Sequence, residues 1–318
     1  MAIKKRLYYF VAGTDMIEFK RRQLAGANCE LSVVEMGDPA KPALLLLHGT
    51  HDHALGMLPA VANLLQDFHI FGLDLRGHGR SEKPGNYSIF AMVADLRAVI
   101  NALELQELVL VAHSLSGHIA IRYAAAYPQQ IMRLVLMDAM GPPRPQRELG
   151  GRQLAASLRR AVDSALDTRS RVRQLKDVAQ AVDRFQRNNP DLDPEFSRLI
   201  AENAVEPHED GGLRWCFDPA IDLIFQTYSE VETEQVASQV RCPVLLVGGE
   251  LGLEFWRNLA PEVFNDEDWY EQEWQRRQAL FSDVQRVVIA GAGHMLHYDQ
   301  AAAVQRELAG FLLPTKLM

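Results

Sequence analysis

The sequence is poor in the features that would take it out of the globular class. Among 318 residues there are three cysteines, Cys29, Cys216 and Cys242. An odd number at wide spacing gives no disulfide framework and no CxxC metal clip. Free thiols packed as small hydrophobes suit a reducing compartment. No run reaches the ~20 apolar residues needed to span a bilayer. Residues 6–13, after a basic start, are too short and too aromatic for a leader core. The expectation is a cytoplasmic protein with no membrane partner. Surplus positive charge is also lacking, since 33 Lys+Arg face 41 Asp+Glu for a net −8. Nucleic-acid affinity comes mostly from neutralising phosphates, so no nucleic-acid partner is expected. No Gly-rich string has dinucleotide or P-loop spacing, and no cofactor is expected. Repeats and low-complexity tracts are missing too, and nothing in the pattern sets an oligomeric state.

What is present is an ordinary globular mix, 48% hydrophobic and 23% charged, in a chain long enough to bury a sizeable core. A short β-prone run occupies 31–36, and largely continuous apolar runs recur at 43–47, 68–73, 108–112, 134–137, 244–247 and 287–290. Runs without alternation suit strands buried on both faces, as in a parallel sheet. Helical patterns lie between them. Ile89, Val93, Leu96, Ile100 and Leu103 share one face after Ser88, an N-cap residue type. Val304, Leu308, Phe311 and Leu312 do the same near the end. Alternating strand and helix predicts an α/β fold with a mostly parallel central sheet flanked by helices.

One stretch breaks the alternation. Gly141-Pro142-Pro143-Arg144-Pro145 opens a segment that shows helical patterns and no convincing strand. Val172, Leu175, Val178, Val182 and Phe185 predict a helix that Asn189-Pro190 stops, and Asp193-Pro194 starts another. The division is therefore residues 1–141 as the first part of the core, 142–236 as an inserted helical cap, and 237–318 as the rest of the core. Residues 142–187 carry ten Arg and one Lys against five acids. A solvated helical face is the usual source of such a bias, and steering of an anionic substrate is the other reading.

The strand at 108–112 runs into Ala112-His113-Ser114-Leu115-Ser116-Gly117, and a helical pattern follows. A Ser on a tight strand-to-helix turn needs small neighbours two positions away, because bulky ones would clash. Ala112 and Ser116 stand there, where Gly is more usual. The same turn aims N–H groups at the start of the helix, which suits an oxyanion. With this elbow, three further blocks occur in order: His48-Gly49-Thr50, Asp74-Leu75-Arg76-Gly77-His78-Gly79-Arg80-Ser81, and Gly291-Ala292-Gly293-His294. In these four blocks the chain resembles the α/β-hydrolase superfamily over nearly its whole length. Within it, Trp215-Cys216-Phe217-Asp218-Pro219 and Gly249-Glu250-Leu251-Gly252 look most like the serine-hydrolase-like branch.

The resemblance implies Ser114 as nucleophile, His294 as general base, and the N–H groups of Thr50 and Leu115 as the oxyanion hole. His297 is a second candidate base. The acid departs from the commonest family pattern, because Gly252 stands in the usual Asp slot. Glu250 and Glu254 flank it, in a stretch from 250 to 274 so acidic that one more carboxylate means little. Asp138 ends the run at 134–137, at a strand's carboxyl end where ligands and catalysis concentrate. Asp138 is therefore the expected acid and Glu250 the alternative. His48-x-Thr50-His51-Asp52-His53 approaches an H-x-H-x-D-H zinc pattern but fails at Thr50, so no metal is expected. His51 and His53 are expected at the pocket mouth, and His113 and His118 in packing or backbone bonds. The function implied is a cofactor-free serine hydrolase acting on a small-molecule acyl substrate, an ester or related compound, through an acyl-enzyme. The alternatives are carbon–carbon bond hydrolysis or another cofactor-free reaction on the same triad, and a ligand-binding relative with little turnover. Ser114 in place of a carboxylate argues against epoxide hydrolase and dehalogenase chemistry.

Overall fold

Strand β4 (Ala43–Leu47) shows how the apolar runs become a sheet with two cores. Leu44 and Leu46 point to one face and Leu45 and Leu47 to the other, and all four are fully buried. Burying each such side chain stabilises by roughly 1.5–3 kcal/mol. The computed structural model describes residues 7–9, 17–144, 150–166, 174–226, 229–259, 264 and 266–313. In chain order, β1 (Leu7–Tyr9), β2 (Ile17–Ala25) and β3 (Glu30–Met36) precede β4. Then come α1 (Leu58–Val61), β5 (His69–Leu73), α2 (Ile89–Ala102), β6 (Leu108–His113), α3 (Ser116–Ala126) and β7 (Ile131–Met137). Between β7 and the next strand of the main sheet lie α4 (Gly151–Leu166), α5 (Val178–Asn188), α6 (Pro194–Asn203), β8 (Val205–Pro207), β9 (Leu213–Trp215), a 3-10 stretch at Pro219–Gln226 and α7 (Glu230–Ala237). The chain then returns with β10 (Val244–Gly249), α8 (Gly252–Leu259), α9 (Glu267–Gln278), β11 (Val284–Ile289), α10 (Leu296–Asp299) and α11 (Ala301–Leu312).

Among the described residues nine strands form one sheet, in the order β1-β2-β3-β5-β4-β6-β7-β10-β11. From β5 to β11 every pairing is parallel, and β1, β2 and β3 join antiparallel. The fold is α/β, as the alternation predicts. Strand β5 lies on one side of β4 and β6 on the other. This reversal opens a crevice beyond their carboxyl ends, where open α/β sheets bind ligands. Ser88 caps α2 by accepting from Ala91 N–H, and Asp193 caps α6. Among the described residues no helix is long and apolar enough to cross a membrane.

The structure departs from the sequence reading in the inserted segment and at β2. Strands β8 and β9 form a hairpin whose Gly211 and Gly212 both have positive φ, 90° and 70°. Three-residue strands carry too little pattern to stand out from helix. The helix expected from Val172 starts at Val178, where Asp177 caps it by accepting from Gln180 N–H. Leu175 instead exchanges backbone hydrogen bonds of 2.7 and 2.8 Å with Leu213. Val172 lies outside the described residues. Strand β2 carries no continuous apolar run, since only Ile17 and Phe19 in it are buried.

Candidate active site

The elbow is a strained turn between a buried strand and a helix. Ser114 directly follows β6 with φ +53°, a left-handed conformation that costs a non-glycine residue on the order of 1–3 kcal/mol. Its surroundings hold it there. An ideal Cβ on Gly117 would lie 1.7 Å from the Ala139 carbonyl oxygen, so no larger residue fits. Gly49 passes so close that a Cβ would be 2.7 Å from His113 Nδ1. Ser116, where Gly is more usual, donates its hydroxyl to the His48 carbonyl and ties the elbow to the loop after β4. That loop is fastened again by His48, whose Nε2 accepts from Leu75 N–H at 3.0 Å and whose Nδ1 donates to Gly49 O at 2.7 Å.

The Asp74–Ser81 block is scaffold for this corner. Asp74 is fully buried and accepts from Arg21 at 2.6 Å, Ala54 N–H at 2.8 Å and Arg80 N–H at 3.0 Å. Burial alone would raise its carboxyl. Arg21, His53 and the two backbone donors outweigh that and hold it at about 2. Arg76 forks onto Asp95 at 2.6 and 2.8 Å. Asp218, between β9 and α7, accepts from Tyr87 at 2.5 Å while its N–H donates to Gly77 O, so this part of the chain is pinned to the same turn.

Three of the candidate residues meet. His294 follows β11 on the Gly-rich loop, and its Nε2 lies 2.9 Å from Ser114 Oγ. Its Nδ1 lies 2.5 Å from Asp138 Oδ2. Asp138 directly follows β7, adjacent to β6, and its φ of +43° turns the side chain across the sheet edge. The two side chains are 10% and 6% exposed, so water screens the contact little. Glu250 does not join them. It is exposed, and its carboxylate accepts from Gly291 N–H at 2.8 Å. An ideal Cβ on Gly252 would lie 2.9 Å from the Tyr270 hydroxyl and 3.9 Å from Asp138 Oδ2, so the usual acid slot borders the carboxylate that meets His294.

His113 donates from Nε2 to the His294 carbonyl at 2.9 Å and so anchors the loop that carries it. Burial pushes His113 well below the ordinary histidine range and keeps it neutral. His118 lies 3.0 Å from Thr233 Oγ1, and burial first, then Arg122, brings it down to about 3. His297 is fully buried beside His113 and 3.9 Å from Asp52, away from Ser114. His51 reaches the pocket mouth as expected, pairing with Asp222 at 2.8 Å. His53 does not. It is buried and donates to the Ile200 carbonyl at 3.1 Å. Among the described residues, no group of three His, Cys, Asp or Glu side chains is placed to hold a metal ion.

Ser114, His294 and Asp138 open into a cavity of about 920 Å³. Thr50 and Leu115 line it beside Ser114, and Asp222, Phe225 and Val231 reach it from the inserted segment. Sequence reasoning did not single out Phe255, whose ring stacks on His294 at 4.0 Å. Its nearness to Gly252, the slot where the resemblance places an acid, was the available signal.

Comparison with known proteins fits this architecture. The chain is 26% identical over 280 residues to a serine hydrolase-like protein of Danio rerio, covering 85% of this chain and 81% of that one. It is 29% identical over 270 residues to N-formylmaleamate deformylase of Pseudomonas putida, covering 80% and 86%. A solved thioesterase domain from the curacin biosynthetic pathway superposes with TM-score 0.75 at 25% identity, over 92% of this chain and 99% of that one. The profile of the alpha/beta hydrolase fold family matches residues 42–301, and the chain belongs to that family.

Proposed function

We propose that the protein is a cofactor-free serine hydrolase that cleaves a small carboxylic ester or related acyl compound through an acyl-enzyme. The observation that carries this is the pair of contacts on one imidazole, 2.9 Å to Ser114 and 2.5 Å to Asp138. The Ser114 hydroxyl donates to Nε2, and Nδ1–H donates to the Asp138 carboxylate, which selects the tautomer that accepts the serine proton. As Oγ attacks the acyl carbonyl carbon, its proton passes to Nε2. The oxyanion forms beside the N–H groups of Thr50 and Leu115, at the start of α3. His294 then gives the proton to the departing alkoxide, leaving the acyl group on Ser114. Water, deprotonated by His294, releases the acid and restores the serine.

Leu115, Pro142, Phe225, Val231, Trp256 and Leu259 line the cavity, and none of its described lining residues is Lys or Arg. That lining favours a neutral, apolar acyl group. We take residues 142–236 as a cap whose Asp222, Phe225 and Val231 close one wall. The three cysteines are buried and free, which supports the cytoplasm as its compartment.

The test is labelling with a fluorophosphonate probe, followed by a panel of acyl esters of graded chain length. The expected result is rapid stoichiometric labelling that Ser114→Ala abolishes, with ester turnover falling by several orders of magnitude in that variant. Near-normal turnover by Ser114→Ala would overturn the assignment.

A further inference from the structure

The hydrogen bonds to His294 lie in the plane of its ring and leave the ring's faces to other contacts. Phe255 covers one face. The ring centroids are 4.0 Å apart and the planes differ by 14°. Trp256 stands edge-on to Phe255 at 5.0 Å and 82°, buttressing it, and meets His294 at 6.3 Å and 69°. Phe255 lies in α8, which begins at Gly252. The helix whose first residue is Gly252, in the slot where the resemblance places an acid, thus presents an aromatic face to the same histidine.

We infer that Phe255 is a positioning residue for His294, holding the imidazole in line between Ser114 and Asp138 and favouring its protonated form. This rests on reading His294 as the general base. The face of a benzene ring is the negative end of its quadrupole, and a cation against it is stabilised when water is excluded. His294 is neutral before reaction and cationic once it has taken the serine proton, so the stack strengthens as the barrier is climbed. The direction of this contact, normal to the ring, differs from that of Asp138, so one does not replace the other.

The groups facing the imidazole leave these two contacts in charge. Asp138 comes from the end of β7, and Ser114 and His113 come from β6 and its turn. His113, 5.0 Å away, is kept neutral by burial. Tyr270 of α9 lies near Asp138, and burial, then the Asp138 charge, raises its hydroxyl and keeps it neutral. Glu254 and Arg257 of α8 line a neighbouring cavity of about 390 Å³ that His294 does not line.

The experiment compares Phe255→Leu, Phe255→Tyr and pentafluorophenylalanine placed at 255, which keeps the shape and reverses the quadrupole. The first readout is an NMR titration of the His294 imidazole, which needs no turnover. The second is the pH profile of kcat/KM on an active ester. The Leu and fluorinated variants are expected to move the His294 midpoint, and the rising limb of the profile, to lower pH by about 0.4–1.5 units. Their kcat should fall by about two- to thirtyfold, and Tyr should keep both. A fluorinated variant that titrates like the unsubstituted protein, or a change confined to KM, would overturn the inference. Absence of turnover on every ester would overturn the hydrolase reading instead, while the titration still decides the stack.

Discussion

Replacing Asp138 with Asn removes one charge and changes little else in shape. In the native site the carboxylate sits 2.5 Å from His294 Nδ1 with its side chain 6% exposed. Charge centres about 3.5 Å apart at an effective dielectric near 20 attract by about 5 kcal/mol, which is roughly 10³-fold in rate. The Asn amide also donates to Nδ1, which puts the imidazole proton on Nε2, where it blocks acceptance from Ser114. Together these should lower kcat by between about 10³ and 10⁴, the scale of the serine-protease case. Glu250→Gln, by contrast, keeps an acceptor for Gly291 N–H and should change kcat by less than about threefold. Stopped-flow release of p-nitrophenol from an ester that the native protein cleaves would separate acylation from deacylation, and thermal melts would show that both variants fold. If Glu250→Gln lost the activity and Asp138→Asn kept it, the assignment of the acid would be refuted.

Moving the acid back to Gly252 should restore part of what Asp138→Asn loses. An ideal Cβ there lies 3.9 Å from Asp138 Oδ2 but 2.9 Å from the Tyr270 hydroxyl, so Gly252→Asp is paired with Tyr270→Phe. At least tenfold recovery of kcat is expected, and no recovery in a folded variant would count against the shared-slot argument. EDTA should leave ester turnover unchanged, because His51 is paired with Asp222 and His53 with the Ile200 carbonyl. Loss in EDTA that Zn²⁺ reverses would show that a metal is needed. Asp74 is held at about 2 against an ordinary 3.8, so it contributes about 2 kcal/mol of stability. Because the folded value is the lower one, that stability is present above pH ~4 and is lost as pH falls towards 2. Urea melts should show the deficit of Asp74→Asn shrinking over that window. A deficit constant from pH 6 to 2.5 would contradict it.

The parallel sheet could be read from single stretches because a strand buried on both faces needs apolar residues in succession. Ala43–Leu47 carries that signature without reference to any other part of the chain. The need for Gly at 117 was not legible in that way, because the atom that excludes a Cβ is the Ala139 carbonyl oxygen, brought there by the packing of β7 against the elbow. The hairpin at 205–215 and strand β2 were not legible, since each derives its pairing from a partner strand more than from its own pattern.

The candidate site divides in the same way. Ser114 and His294 stand in blocks whose spacing is local, and they could be named from the sequence. The preference for Asp138 over Glu250 rests there on strand-end position and on Gly252 in the usual slot, because both are carboxylates just beyond the ends of neighbouring strands. Asp138 is 156 residues from His294 along the chain. It meets that histidine because β7 pairs with β10 in the register Met137↔Val247 and because its φ is positive. Glu250 instead turns outward to Gly291. Phe255 over the imidazole is a contact of the same kind. A sequence pattern records what one element must bury, whereas the meeting of loop ends from β6, β7, α8 and β11 depends on how packed elements fix one another in space.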